Sequence, residues 1–390
     1  MKLSTDRILT THVGSLPRDA AALEFLLRRE RGEDYDEAKL EEAFAAAVEN
    51  VVARQIEIGI DVVSDGEMSK IGYATYVKDR LSGFGGHYPR LPSLDLAPHP
   101  ELREAMARLV GTQSFRRPAC IGPIELVERE ALERDIRRFR RAVESHRPVD
   151  AFMNAASPGV ISAFQTNRFY PTHDAYVDAI AAAMQPEYEA IADAGFVLQL
   201  DCPDLAMARH TGFQTLTEEQ FLERAEYQVE ALNRALAHIP AAAMRMHVCW
   251  GNYEGPHDHD IPLERILGIV LRAKPAGILF EAANPRHRHE WTVWRDAEIP
   301  EDKILIPGCL MSTTNYVEHP ELVAQQICRY ADLVGRERVI AGTDCGFGTF
   351  AGLWRVAPAV AYKKLEALVQ GAEIASRRLW GRSPRPLSRL

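Results

Sequence analysis

The chain has no apolar run approaching the roughly 20 residues that would span a bilayer, and it opens on Met1-Lys2-Leu3-Ser4-Thr5-Asp6 with no leader pattern. Nor does it carry a surplus of positive charge. Its 46 Lys and Arg stand against 55 Asp and Glu, a formal net charge of −9. With no dense Lys/Arg face, that balance argues against nucleic acid as a partner. The six cysteines, at positions 120, 202, 249, 309, 328 and 345, are dispersed and not spaced as a framework. None requires a disulfide, which fits a reducing cytoplasm. Internal repeats and low-complexity tracts are missing too. The absences leave a globular cytoplasmic protein, with neither membrane nor nucleic acid among its expected partners.

An apolar content of 46% over 390 residues supplies a large core, enough for two average domains or one α/β barrel. Short strand-like runs alternate with long helical ones. The strands are expected at Ile8–Val13, Val62–Asp65, Val149–Asn154, Phe196–Asp201, Met244–Cys249, Ile278–Ala282, Ile304–Cys309 and Val339–Thr343. Helical stretches between them include Asp36–Ile58, Asp174–Ala194, Thr217–Ala237, Pro320–Val334 and Ala359–Ala372. Eight strands, each followed by helical material, are the pattern of a (β/α)8 TIM barrel. The long second connection holds a ninth strand-like run, Ala119–Leu126, and a basic helix, Arg129–Val143. We read residues 83–147 as an excursion decorating a single barrel of residues 1–376; the other reading makes that run a barrel strand. Residues 377–390 read as a loosely held C-terminal tail.

Chemistry in such barrels sits at the C-terminal ends of the strands, and the polar residues collect there. The fifth strand ends in His247-Val248-Cys249. Residues i and i+2 of a strand share a face, so the imidazole and the thiol project together. Cys345, in Gly342-Thr343-Asp344-Cys345-Gly346, ends the eighth strand. One nitrogen and two soft sulfurs suit tetrahedral Zn²⁺ with a fourth position to fill. Glu281 follows the apolar run Gly277-Ile278-Leu279-Phe280; it is either a surface carboxylate or the fourth ligand or its partner. A lone His-x-Cys is more often a core histidine beside a buried thiol. The convergence of three strand ends is what favours the metal.

Other polar strand ends stay open between two roles. Glu67 and Asp201 are loop carboxylates or ligands for a cation such as an α-ammonium. Ser15, after Gly14, is a helix cap or a donor to a substrate carboxylate. His12 is a hydrogen-bonded core residue or an acid-base group. The cluster Pro256-His257-Asp258-His259-Asp260 looks like a metal motif but is flanked by loop residues. Trp250, Tyr316 and Phe347 flank the strand ends as pocket walls or plain packing.

At these residues the chain resembles the C-terminal catalytic barrel of cobalamin-independent methionine synthase, from Thr10-Thr11-His12-Val13-Gly14-Ser15 to Asp344-Cys345-Gly346. The resemblance implies a catalytic zinc held by His247, Cys249, Glu281 and Cys345. It also implies that Ser15, Glu67 and Asp201 hold the amino and carboxylate groups of homocysteine. The implied activity is zinc-dependent S-alkyl transfer, most simply methyl transfer to homocysteine from a separate methyl or alkyl donor. Two features depart from the family. There is room for one barrel where the full-length synthase has two, and Thr313 stands where the synthase has a proton-donating histidine after the seventh strand. His12 is therefore the expected proton donor. The stretch Thr313-Thr314-Asn315-Tyr316-Val317-Glu318-His319-Pro320-Glu321 also resembles single-barrel relatives such as epoxyalkane:coenzyme M transferases, whose zinc opens an epoxide with a thiolate. A zinc-stabilised barrel without turnover is the reading from another class, and homo-oligomerisation stays open.

Overall fold

The computed structural model describes residues 1–88, 91–110 and 116–381. Eight short parallel strands form the framework: β1 (Leu9–Thr10), β2 (Val62–Ser64), β3 (Asp150–Ala156), β4 (Val197–Asp201), β5 (Met244–Val248), β6 (Gly277–Phe280), β7 (Ile304–Pro307) and β8 (Ile340–Ala341). Strands β2 to β7 form one continuous parallel ladder in chain order. Its register runs through Val62↔Asp150, Phe152↔Val197, Leu198↔Met244, Arg245↔Gly277 and Gly277↔Ile304. Single parallel bridges, Leu305↔Val339 and Gly308↔Gly342, carry the ladder from β7 to β8. Leu9↔Ile340 then joins β8 to β1. The Asp61 N–H donates to the Thr10 carbonyl at 3.2 Å and the Thr11 hydroxyl to the Val62 carbonyl at 3.0 Å, closing the circuit from β1 to β2. The expected (β/α)8 barrel is the observed fold.

The outermost strands are shorter than their apolar runs because side chains take over ladder bonds at the mouth. The Val13 N–H donates to the Thr343 hydroxyl, and the Gly14 N–H to Nδ1 of His12. Inside the ring, Leu9, Leu279, Ile304, Ile306 and Ile340 pack together. Beside them Arg245 is fully buried, its guanidinium 3.5 Å from the centroid of Phe152. That guanidinium donates to Thr11, to the carbonyl of His12 and to Gln199. Such a charge is tolerable in a core only when its donors are matched in this way. The larger apolar cluster lies between the strands and the surrounding helices.

Helix Glu37–Ile58 shows how the outer layer forms. Asp36 caps it, Leu40, Phe44, Ala47, Val48, Val51 and Gln55 face inward at helical spacing, and Gly59 at φ +101° ends it. Helix Glu218–Ala235 starts from a capping box between Thr217 and Gln220. Helices His173–Asp193 and Pro320–Val334 lie where the sequence puts them.

The second connection departs from expectation in two ways. Of the run Ala119–Leu126, only Ala119–Cys120 is strand; it pairs antiparallel with Phe84–Gly85, outside the barrel. The basic helix spans Glu130–His146 and buries Leu132, Ile136, Phe139 and Ala142. With that face buried, it fills the place of a barrel helix and is not part of an excursion, so the segment 83–147 divides at about its start. The final helix, Pro358–Trp380, runs past residue 376 to Gly381 at φ +67°. Its end is held because the Ile8 N–H donates to Ser376 and because Arg336 stacks on Trp380. Residues 377–380 are thus helix rather than tail; residues 382–390 lie outside the described residues. No helix among the described residues is long and apolar enough to cross a membrane.

Candidate metal centre and the floor beneath it

His247, Cys249 and Cys345 come together as their strand ends imply. One ligand atom of each lies within 4.8 Å of the others, and all three residues are buried. Nε2 of His247 is 3.0 Å from the carbonyl of Asp344. That bond assigns the proton to Nε2 and leaves the lone pair of Nδ1 free. Burial pushes the imidazole down to about 4, so it is neutral at pH 7, as a metal ligand must be. Burial and the neighbouring Cys249 push the Cys345 thiol well up. Ionised to thiolates beside a carboxylate, such a buried pair would be electrostatically costly unless a cation offset it. The donor set and its enclosure fit a soft divalent metal.

Glu281 stands one step outside that triangle, with Oε1 3.9 Å from Sγ of Cys345. Both its oxygens are engaged: Oε1 accepts from the Trp250 N–H at 2.7 Å, and Oε2 accepts from Asn284 at 2.6 Å and Arg286 at 2.8 Å. The loop carrying it is pinned by Asp344, whose carboxylate accepts the N–H groups of Ala282, Ala283 and Asn284. Asp344, Asn284 and Arg286 were not singled out from the sequence. The only signal was the polar string following Glu281.

Beside the cluster, two carboxylates form an acidic floor. Asp201 ends β4, 3.9 Å from Nδ1 of His247, and accepts from Asn154 and Gln199. Burial raises its pKa to about 6 against those hydrogen bonds. Glu67 sits in the turn after β2 at φ +56°, a conformation a non-glycine residue adopts at a cost, usually where function holds it. Burial raises it to about 7, with Arg18 and Lys70 opposing. Its Oε2 is buried with no hydrogen-bond partner, and the guanidinium of Arg18 is 3.6 Å away. Two buried carboxylates that resist ionisation, one with a free oxygen, make a receptor for a cation. Ser15 closes the floor opposite Gly346. A Cβ at Gly346 would stand 2.0 Å from the Ser15 hydroxyl, so only glycine allows that approach.

His12 is not part of this site. Its Nδ1 accepts from Gly14, its Nε2 bonds Gln55 at 2.7 Å, and its ring packs edge-on to Phe152. Burial lowers it to about 4. With both nitrogens committed inside the wall, the ring is a neutral structural group, which corrects the proton-donor expectation. The His257–Asp260 stretch converges with His210, and these three residues are a second group able to offer ligand atoms to a metal. Asp260 accepts from His257, His287 and Arg286, and His210 Nδ1 lies 3.4 Å away. Asp260 is thus a hydrogen-bonded hub, and through Arg286 it reaches Glu281. His287, stacked 4.0 Å from Trp250, also bonds Glu290.

The His247–Cys249–Cys345 triangle and the acidic floor open into one cavity of about 840 Å³ at the C-terminal mouth of the barrel. Ser15, Glu67, Asp201, His247, Cys249 and Cys345 line its floor; Asn252, Tyr253, Ser312 and Phe347 line its walls. Tyr316 is largely exposed and Trp250 fully packed. Fold and site together define a class: a (β/α)8 barrel presenting a nitrogen–sulfur–sulfur cluster beside paired carboxylates.

Comparison with known proteins narrows that class. Residues 8–87 match the family described as the catalytic domain of cobalamin-independent synthase. The chain is 25% identical over 375 residues to a methionine synthase of Saccharolobus solfataricus, with 95% of each chain covered. It is 24% identical to that of Sulfurisphaera tokodaii. Among solved structures, a B12-independent methionine synthase from Shewanella superposes with a TM-score of 0.68 at 17% identity, covering 96% of this chain and all of that one. A putative counterpart from Listeria monocytogenes gives 0.64 at 19%. The likeness to the cobalamin-independent methionine synthases therefore runs along nearly the whole chain, and the relatives it matches have the same single-barrel length.

Proposed function

We propose that the protein is a zinc-dependent S-methyltransferase that methylates the thiol of homocysteine. The observation that carries this reading is the convergence of His247, Cys249 and Cys345 beside the Glu67–Asp201 floor. The similarity to methionine synthases supports it. His247 through Nδ1, Cys249, Cys345 and Glu281 would hold the metal. Zn²⁺ bound there supplies a Lewis acid that favours the thiolate of an incoming thiol at neutral pH. With Cys249 and Cys345 as thiolates and Glu281 as a carboxylate around a bound Zn²⁺, the centre would carry a formal charge of about −1, which would favour a nucleophilic sulfur over a hydrolytic site.

The remaining work falls to the protein's own groups. Glu67 and Asp201 receive the α-ammonium, which offsets their buried charge and holds both in the ionised form. The Ser15 hydroxyl holds the α-carboxylate. The tie of Oε2 to Arg286 and Asn284 leaves Oε1 as the only oxygen of Glu281 turned toward Cys345. Burial of the floor keeps water from competing with the thiol. The acidic pair also selects among thiols, since it disfavours a sulfonate such as that of coenzyme M. Thr313 in place of a proton-donating histidine supports a second reading, C–S bond formation with another electrophile such as an epoxide.

Metal analysis of Cys249→Ser and Cys345→Ser tests the centre; both should lose zinc and activity together. Proton release should accompany addition of homocysteine to the zinc protein, and not of coenzyme M. Full zinc occupancy in both variants would end the proposal.

A further inference from the structure

The thiol chemistry leaves the histidines around Asp260 without a task. Three loops meet there: His210 follows β4, His257 and Asp260 follow β5, and Arg286 and His287 follow β6. One ligand atom from each of His210, His257 and Asp260 lies within 4.8 Å of the others. Both histidines are buried, and the Asp260 side chain nearly so.

Hydrogen bonds assign the protons. Nε2 of His257 is 3.0 Å from the Tyr253 carbonyl, which only accepts, so that nitrogen carries the hydrogen. The Tyr253 hydroxyl donates to Oδ2 of Asp95 at 2.6 Å, and its oxygen is left to accept from Nε2 of His210 at 3.2 Å. In both neutral rings the lone pair is therefore on Nδ1. Nδ1 of His257 lies 3.1 Å from Oδ1 of Asp260, and Nδ1 of His210 lies 3.4 Å from the same oxygen. The ring of His210 is fully buried, yet its Nδ1 makes no hydrogen bond among the described residues. Two nitrogen lone pairs and an anionic oxygen thus converge away from water. A second proton on His257 relieves one of these contacts, as an imidazolium donating to Asp260, but leaves His210 orphaned. A cation relieves both.

The carboxylate is prepared for such a cation. Its other oxygen, Oδ2, accepts from Arg286 and from His287, each at 3.0 Å, and outer bonds of this kind orient a metal ligand. Ligands about 2.0–2.1 Å from a tetrahedral Zn²⁺ stand about 3.3 Å from one another, close to the 3.1 and 3.4 Å found here. The two positive groups do not bar a cation, because Arg286 is shared with Glu281 and His287 with Glu290. Asp95 adds a carboxylate beside the site, accepting the His257 N–H at 3.1 Å. Two imidazoles and a carboxylate suit a divalent ion of the zinc class.

We infer that His210 and His257, through Nδ1, and Asp260, through Oδ1, form a second metal site for Zn²⁺ or a similar divalent ion, which staples the loop after β4 to the loop after β5. Tyr253, bonded to both histidines, is thereby fixed in the cavity wall. No sulfur enters this site, and the inference stands apart from the thiol chemistry.

Zinc titration of the metal-free full chain by calorimetry, followed by metal analysis, tests it. Wild type should bind two Zn²⁺ per chain. Cys249→Ser/Cys345→Ser should keep one of them. His210→Ala/His257→Ala should keep only the cysteine-dependent ion, with affinity at the second site lowered roughly a hundredfold or more, beyond the loss expected for an outer partner. His99→Ala/His238→Ala, which removes two exposed histidines, should keep both ions. Should a variant fail to fold, cobalt substitution of wild type decides: thiolate-to-cobalt absorption should be complete at one equivalent while a second Co²⁺ still binds. No ion retained in the cysteine variant, both ions retained in His210→Ala/His257→Ala, or a single Co²⁺ per wild-type chain that carries the thiolate absorption overturns the proposal. A single ion that survives loss of the cysteines and is lost with the histidines would refute the His247–Cys249–Cys345 centre and support this site.

Discussion

The hub at Asp260 makes a quantitative claim about stability and pH. Burial alone would lower the pKa of His287, but hydrogen bonds to Asp260 and Glu290 carry it from 6.5 up to about 9. The folded state therefore holds that proton more tightly than the unfolded chain. The stabilisation is fully present below about pH 6.5, declines as pH rises through 9 and is gone above it. A rise from 6.5 to about 9, at about 1.4 kcal/mol for each pH unit, amounts to about 3 kcal/mol. For a chain of this length roughly 2 °C of Tm accompanies each kcal/mol. His287→Gln removes the titrating group and should be less stable at pH 6. Between pH 6 and pH 9.5 the wild-type Tm should fall by about 6 °C more than that of the variant. Scanning calorimetry at half-unit steps of pH reads this directly. Parallel falls would refute the reasoning, because the linkage would then reside elsewhere.

Further outcomes follow from the same geometry. Asp260→Asn strips a buried acceptor from Arg286 and His287 and should cost about 3–5 kcal/mol, with weaker zinc retention in a chelator competition, since Glu281 loses its brace. Gly346→Ala forces a Cβ against the Ser15 hydroxyl, and should raise the KM for homocysteine while sparing zinc content. Glu67→Gln removes one ligand for the ammonium and should raise the KM for homocysteine at least tenfold, while a simple alkyl thiol reacts as before. His12→Ala leaves the Gly14 N–H without its acceptor and should cost about 1–3 kcal/mol of stability, with turnover per folded molecule within a few-fold of wild type. A total loss of turnover in a folded His12 variant would restore it to the chemistry.

The barrel was legible because most strands are apolar runs ended by a polar residue, and several long helices carry their own caps, as at Asp36, Thr172 and Thr217. The convergence of the three candidate ligands was legible for the same reason: His247 and Cys249 share one strand end, and Cys345 follows another. His12 was misleading because its partner Gln55 lies forty-three residues away on a helix, and nothing local marks the pair. Helix Glu130–His146 looked peripheral because its many arginines hide the narrow stripe of Leu132, Ile136 and Phe139 that it buries. The Asp260 hub draws His210, Arg286 and His287 from distant loops, and only its His257–Asp260 part showed in the sequence as a cluster.

Asp344 lies in the turn just after the last strand of the ring, and it braces three of the four candidate ligands. Its carbonyl bonds His247, its carboxylate holds the loop of Glu281, and its neighbour is Cys345. During synthesis the His-x-Cys pair leaves the ribosome almost a hundred residues before the second thiol. A nascent or truncated chain that ends before β8 lacks both Cys345 and the Asp344 carbonyl that orients the imidazole. A metal held by the proposed ligands would therefore be captured only on ring closure, and a firmly held ion would mark a chain that has finished folding.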